Sequence, residues 1–526
     1  MKPTVRVSLA SYLLLFSSFI TGSNCLAEPV DDPLVRPIDG SRMVVGDGNV
    51  PDYILDYYLF LCGDAFPEIV VINLDGETGV SSEQFRNRGA ESVLVVETIP
   101  SDLESLTLSL LSADGVWIEG SPDALAKRPL LLSLLQNVTK RNGTIAVDSS
   151  SVSLLADLDE NDAAKRLESP FANFDFHFGM AKPDNSSSVQ DVHCMIPNSS
   201  ALVVHQGRQI AGYGDRDITL MVKAANGWPE RTQTFECPDA FGPGGYPGYS
   251  TDLLSWVRSA RERSRAFFPP KLNPASAMEN GTLFLHGGSR LHQDVLEEFV
   301  ALAGGKEVPF VCIPSASQFD AFETPRSYSA ESLNEMGCSQ VTILHTDDPM
   351  VADQSEAFAR MLEDAAAVWI DGGRTFRFMD SYEGTRVPKL LAQVLERGGV
   401  VGGSSAGCQV PSDFLVRGNP TSNRDIAFGG YTRGMGLLKG VIIDAHFLQR
   451  QRHEPFLQLM QKHPQMLGIG IDESTALVVN GHQGRVVGNA AVSFYDLSGK
   501  TEDEFKPVIL NAGQSYDLRA RQTISD

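Results

Sequence analysis

Positive charge is scarce in this 526-residue chain: 43 Lys and Arg stand against 66 Asp and Glu, for a formal charge of −23. A surface this acidic excludes a phosphate-backbone binder, whose affinity comes from basic residues. Cysteine is sparse too. The seven residues Cys25, Cys62, Cys194, Cys237, Cys312, Cys338 and Cys408 form no CxxC pair. That excludes a disulfide-built scaffold and leaves room for an isolated bridge or two. Ten histidines occur without HExxH or paired Cys/His spacing, so neither a metal nor another cofactor is expected. Beyond the N-terminus no apolar run is long enough to cross a bilayer.

What is present is the balance of a globular enzyme, with 42% hydrophobic and 21% charged residues in a chain long enough for two or three domains. Residues 1–27 read as a cleaved signal peptide. Lys2 and Arg6 supply a basic start, Leu9–Ile20 an apolar stretch, and Cys25-Leu26-Ala27 a small-x-small cleavage site. The apolar stretch is short and Ser-rich for a membrane anchor, and Gly22-Ser23-Asn24 is a poor lead-in to a lipid-carrying Cys25. An exported protein, secreted or periplasmic and free of the membrane after cleavage, is expected.

The rest of the chain repeats itself. GVWIEG ending at Gly120 matches AVWIDG ending at Gly372, and Arg141–Ser150 matches Arg397–Ala406. Ile196–Val204 matches Ile471–Val479, and both halves carry His-Gln-Gly-Arg soon afterwards, at His205–Arg208 and His482–Arg485. Several collinear matches indicate a tandem duplication. In each half, short apolar runs alternate with helix-like stretches. In the second half Val308–Ile313, Gln340–Leu344, Ala366–Ile370 and Val400–Gly402 read as buried strands, and His292–Ala303, Asp353–Asp364 and Pro388–Arg397 as helices. The expected fold is α/β: two tandem doubly wound, mostly parallel domains, over 40–235 and 281–526. A linker over 236–280 is expected between them, opening on the Pro- and Gly-rich Pro238–Ser250 and including a basic helical stretch, Asp252–Phe267.

Gly403-Ser404-Ser405-Ala406-Gly407 is a GxSxG turn between a strand-like GGVVGG and a segment able to begin a helix. Such a turn exposes a serine and aims backbone N–H groups at a developing oxyanion. By itself the pentapeptide is a weak signal that also suits a Gly-rich structural turn. A base and an acid are needed. His446 follows the strand-like Val441–Ile443, where parallel sheets present functional groups, whereas His453 and His463 fit a solvated helical face. Glu473 sits at another strand–loop junction, giving a candidate Ser405–His446–Glu473 triad.

These residues carry a family resemblance. Asp371-Gly372-Gly373, the GxSAG at Ser405, DxHF…R.R over Asp444–Arg452 and GIGIDE over Gly468–Glu473 occur in order within Gly281–Ser498. That stretch resembles the cyanophycinase and peptidase E group of serine peptidases, whose fold is that of class I glutamine amidotransferases. The resemblance implies Ser405 as nucleophile, His446 as general base and Glu473 as its orienting acid, with the amides of Gly373 and Ala406 as oxyanion donors. Arg374, Arg450 and Arg452 would then recognise the aspartyl carboxylate of a peptide substrate, cyanophycinases cleaving a β-linked aspartyl-arginine polymer and peptidase E-type enzymes cleaving after an N-terminal aspartate. Three ordinary surface ion pairs would also account for these arginines. Thr375 and Ala445 stand where cyanophycinases have glutamines, and an expected arginine is missing near Pro455, which points away from cyanophycin itself. A broader amidase or esterase and a non-catalytic binding protein are the competing readings.

In the first half Ser149 falls at the nucleophile position, but Val147-Asp148-Ser149-Ser150-Ser151 lacks both glycines of the turn. Asn198 replaces Glu473, and Asp175-Phe176-His177-Phe178 looks like a remnant of the histidine motif. This half is expected to be degenerate and to stand in for a second subunit, giving a monomer with pseudo-dimeric halves.

Overall fold

The computed structural model describes residues 40–525 apart from 64, 74–79, 100–103, 121–127, 160–169, 180–187, 206, 236–250, 272–275, 279, 318–325 and 501–504. The signal-like N-terminus, Cys25 and Cys237 therefore lie outside the described residues. No described helix is long and apolar enough to cross a membrane.

The first half contributes strands β1 (Ser41–Val45), β2 (Glu68–Asn73), β3 (Ser92–Val96), β4 (Gly115–Glu119), β5 (Thr144–Val147), β6 (Phe174–Phe178) and β7 (Val192–Ile196). It continues with β8 (Ser200–His205), β9 (Gln209–Gly214), β10 (Ile218–Val222), β11 (Arg231–Phe235) and β12 (Thr251–Asp252). The second contributes β13 (Thr282–His286), β14 (Pro309–Ile313), β15 (Gln340–Ile343), β16 (Ala367–Ile370), β17 (Val400–Ser404), β18 (Ser412–Phe414) and β19 (Leu438–Asp444). Then come β20 (Leu467–Ile471), β21 (Thr475–Asn480), β22 (Gln483–Gly488), β23 (Ala491–Asp496), β24 (Val508–Asn511), β25 (Ser515–Asp517) and β26 (Gln522–Ile524).

The large sheet of the first half runs β3-β2-β4-β5-β1-β8-β9-β12, and that of the second β15-β14-β16-β17-β13-β21-β22-β25-β26. In both, five parallel strands continue into an antiparallel extension. The smaller sheets, β6-β7-β10-β11 and β18-β19-β20-β23-β24, match in the same way. Backbone detail agrees as well: Ser199 and Ser474, equivalent in the matched segments, both adopt left-handed φ, at 62° and 58°.

Both faces of each large sheet are covered, as a doubly wound sheet requires. Leu283 and Leu285 enter one apolar cluster while Phe284 between them enters another. Val44 and its neighbours Met43 and Val45 divide likewise. Helix Val387–Glu396 shows how the sequence dictates this: Pro388 suits its first turn, and Val387, Leu390, Leu391, Val394 and Leu395 form one buried stripe. The expected helix Asp353–Asp364 is instead two helices, Pro349–Gln354 and Glu356–Glu363. Ser355 ends the first and caps the second by accepting the Phe358 N–H.

The expected linker needs a similar correction. Within 236–280, β12 pairs with β9, and helix Leu253–Glu262 puts Leu253, Trp256 and Ala260 into the first half's core. The opposite side of this helix meets the second half. Arg258 pairs with Asp380 at 3.2 Å and with Glu383, and Thr432 donates to Glu262 at 3.0 Å. Arg208, from the β8–β9 turn, adds Asp380 at 3.0 Å. The stretch is an interface element, because its apolar stripe enters the first half while Arg258 and Glu262 on its other side meet the second.

Candidate active site

Ser405 directly follows β17, which lies between β16 and β13 in the parallel part of the sheet, with φ 56° and ψ −115°. Such backbone strain is held by surrounding structure and occurs where a side chain must be presented. The Ser405 amide donates to the His286 carbonyl at 3.0 Å. The glycines of the turn allow the close packing beneath it: a Cβ on Gly403 would lie 2.3 Å from the Gly407 oxygen, and one on Gly407 2.0 Å from that of Ile370.

His446 follows β19 in a left-handed conformation, φ 49°, with its amide bonded to the Gly287 carbonyl at 2.8 Å. This turns the ring toward Ser405. Nε2 lies 2.8 Å from Ser405 Oγ, and Nδ1 lies 2.6 Å from Glu473 Oε1. The hydrogen bond from His446 holds the Glu473 carboxyl below its usual range. An ionised carboxylate only accepts, so Nδ1 carries the proton and Nε2 is free to accept from the serine hydroxyl. Burial pushes the His446 pKa down, against the raising effect of Glu473. The three residues thus come together in the expected order.

The amides of Gly373 and Ala406 have no hydrogen-bond partner among the described residues. Gly373 follows β16 at φ 149°, where a Cβ would lie 2.0 Å from the Ala316 oxygen. A cleft of about 1000 Å³ opens beside Ser405 and His446. Asp371 lines it, with its carboxyl raised by burial.

The three arginines separate. Arg452 is buried, donating to Asp444 Oδ1 at 2.6 Å and to the Ala445 carbonyl at 2.7 Å, so the expectation that it binds substrate is corrected. Asp444 also pairs with Arg417 at 2.9 Å. A carboxylate removed from water requires such partners, and the cluster fixes the strand that delivers His446. Arg374 is half-buried, donates to the Asn419 carbonyl and has no carboxylate partner among the described residues. Arg450 is exposed, and its positive charge opposes protonation of His446 and lowers the Glu473 carboxyl. Thr375 is buried and donates to the Arg417 carbonyl at 2.9 Å. Ala445 is fully buried.

Sequence reasoning missed three residues. Arg290 lines the cleft, and its position just past the Gly287-Gly288 turn at the end of β13 was a usable signal. Gly288 faces the imidazole, where a Cβ would lie 2.3 Å from the His446 ring. His286 is buried, its pKa pushed down to about 4 by burial, and its Nδ1 lies 3.0 Å from Ser404 Oγ. His463 is half-buried against the Phe414 ring, 5.1 Å between centroids, and not on a solvated face.

In the first half, Ser149 lacks the left-handed φ of Ser405. Sheet register corrects the reading of His177. Asp444 pairs with Gly470, whose equivalent Met195 pairs with His177. His177 therefore occupies the place of Asp444, two residues short of His446.

A serine presented on a strand–helix turn beside a histidine and a carboxylate, with free amides nearby, is the arrangement of a serine hydrolase. The sequence model of peptidase family S51 matches residues 283–487. The cyanophycinase of Trichormus variabilis is 30% identical over 235 residues, 43% of this chain and 76% of that protein. That of Geminocystis herdmanii is 29% identical over 207 residues, 39% of this chain and 75% of that protein. This chain belongs to peptidase family S51. Among solved structures, a peptidase from an acI-B1 actinobacterium matches with TM-score 0.36 and 23% identity, over 45% of this chain and 97% of its own. A peptidase E protein from Listeria monocytogenes matches with TM-score 0.29 and 19% identity, over 40% of this chain and 100% of its own.

Proposed function

We propose that this peptidase is exported and cleaves aspartyl or isoaspartyl peptide bonds, with Ser405 as nucleophile, His446 as general base and Glu473 orienting the imidazole. The observation that carries the reading is the continuous hydrogen-bond chain from Ser405 Oγ to His446 at 2.8 Å and on to Glu473 at 2.6 Å. Ser405 Oγ attacks the scissile carbonyl carbon as its proton passes to His446 Nε2. The N–H groups of Gly373 and Ala406 stabilise the oxyanion, a contribution of about 3–4 kcal/mol per donor in such sites. Collapse of the tetrahedral intermediate breaks the C–N bond, the amine leaves with the proton from Nε2, and water then hydrolyses the acyl-enzyme by the same steps.

Arg374 and Arg450 from the sequence, with Arg290 from the cleft, are the candidates for the substrate carboxylate, since Arg binds carboxylates through two parallel hydrogen bonds. Glu331 and Glu335 line the same cleft as Arg290, so it offers both signs of charge to a dipeptide carrying both, as β-Asp-Arg does. Export rests on the basic and apolar pattern of residues 1–27. The first half acts as a built-in partner, derived by duplication, that supports helix Thr375–Tyr382 behind Gly373.

The test is incubation with cyanophycin, β-Asp-Arg and α-aspartyl dipeptides, read by mass spectrometry, alongside a fluorophosphonate probe. Cleavage of an aspartyl dipeptide and labelling lost in Ser405→Ala are expected. Labelling without aspartyl cleavage would leave a broader amidase or esterase. A folded protein that neither labels nor cleaves would be a binding protein.

A further inference from the structure

A cluster of nitrogen and oxygen donors in the first half has no part in the peptidase site. Asp175 and His177 lie two apart on β6, and His193 stands opposite Asp175 on β7. Side chains two apart on a strand share a face, as do directly paired residues. All three side chains therefore converge. Asp175 Oδ2 is 3.0 Å from His193 Nδ1 and 3.1 Å from His177 Nε2, and the two nitrogens are 3.3 Å apart.

Hydrogen bonding alone leaves this triangle unbalanced. His193 is fully buried, and its Nε2 lies 3.1 Å from the Ser188 carbonyl oxygen. A carbonyl only accepts, so Nε2 carries the proton and Nδ1 of the neutral ring presents a lone pair. That lone pair faces the carboxylate oxygen at 3.0 Å. His177 Nε2 can offer one proton at most. Two acceptors facing each other at 3.0 Å repel, and a metal ion held by both and by His177 Nε2 would remove that repulsion, entering from the side where Asp175 is partly exposed. The spacing suits a metal, because donors about 2.0–2.1 Å from a tetrahedral zinc are about 3.3 Å apart, and facial octahedral donors about 3.0 Å. The Ser188 carbonyl plays the part of the outer partner that metal-bound histidines have, fixing the ring with its ligating nitrogen inward.

We propose that Asp175, His177 and His193 form a binding site for a divalent transition metal of the zinc class, on the half that lacks the catalytic turn. The site is particular to that half. The register places Ile442, Asp444 and Gly468 at the corresponding positions of the second half, which cannot make it. Its ligands are Asp-x-His on one strand and a histidine on the next, a pattern without the spacing of helix- or knuckle-borne metal motifs.

The full chain, stripped with chelator and dialysed, is titrated with Zn2+ by calorimetry and with Co2+ by visible absorption. One equivalent per chain, a Co2+ d–d spectrum of nitrogen/oxygen ligation and a higher Tm with Zn2+ are expected. His177→Ala and Asp175→Asn, which spare the fully buried His193, should each weaken Zn2+ binding by about 100-fold or more and abolish the Tm shift. Folded wild-type protein that takes up neither metal overturns the proposal. Stoichiometric binding undiminished in both variants overturns it as well, because the metal then sits elsewhere.

Discussion

The two halves share strand order and a serine at the same turn, yet only one of those serines has the surroundings that a nucleophile needs. Ser405 has the strained φ, glycines on both sides, and a histidine and a carboxylate within hydrogen-bond reach. Ser149 has the strand before it and none of the rest. The difference lies in backbone permission. Without glycines at the flanking places, side chains occupy the space that lets the turn tighten. Asp47 stands where Gly288 makes room for the imidazole in the other half. A parallel sheet sets where a site can be, and a few glycines set whether it is.

The comparison breaks most sharply on the serines themselves. Ser405→Ala should lower kcat by roughly 10⁴-fold or more, with Ser149→Ala unchanged, measured on whichever substrate the enzyme turns over. A loss shared between the two serines would mean that the first half is not degenerate. Next is Glu473→Gln, which should cost roughly 10²–10⁴-fold in kcat and also move the pH profile. Activity needs neutral His446, whose pKa lies below its ordinary value because of burial, so the acid limb of kcat/KM should fall below pH ~6.5. Glu473 raises that pKa, so its neutral replacement should shift the limb further toward acid. A limb that moves to higher pH would refute the assigned pairing.

Gly288→Ala tests the space beside the ring. Displacing His446 by about 1 Å should reduce kcat about 10²-fold with little change in KM. The smallest expected effect on catalysis concerns the contact between halves. Arg208→Ala removes one charged partner from Asp252 and one from Asp380, which keep Ser255 and Arg258 respectively, and should destabilise the chain by about 2 kcal/mol in denaturant unfolding. A several-fold fall in kcat should accompany it, because Asp380 lies on the helix that follows Gly373. Unchanged kcat in the folded variant would make the first half a passive neighbour.

Much of the catalytic half was legible in sequence because its signals are local. GxSxG needs its glycines next to the serine, buried strands read as apolar runs, and Val387–Glu396 shows its stripe directly. Arg452 misled because sequence cannot tell whether a cation faces solvent or a buried carboxylate. Asp444, eight residues away in chain, decides that through a 2.6 Å contact. His177 misled for a related reason: Asp-x-His-Phe looks the same in two registers, and only pairing with β7 shows which it occupies.

The sequence by itself determined the α/β alternation, the position of the serine turn and the residues able to serve as base and acid, since each depends on neighbours within a few positions. Only the tertiary structure decided which arginines remain available to a ligand, that Gly288 and His286 belong to the site, and that Asp175, His177 and His193 converge. Those outcomes depend on which strand lies beside which and in what register, and therefore on packing across the whole sheet.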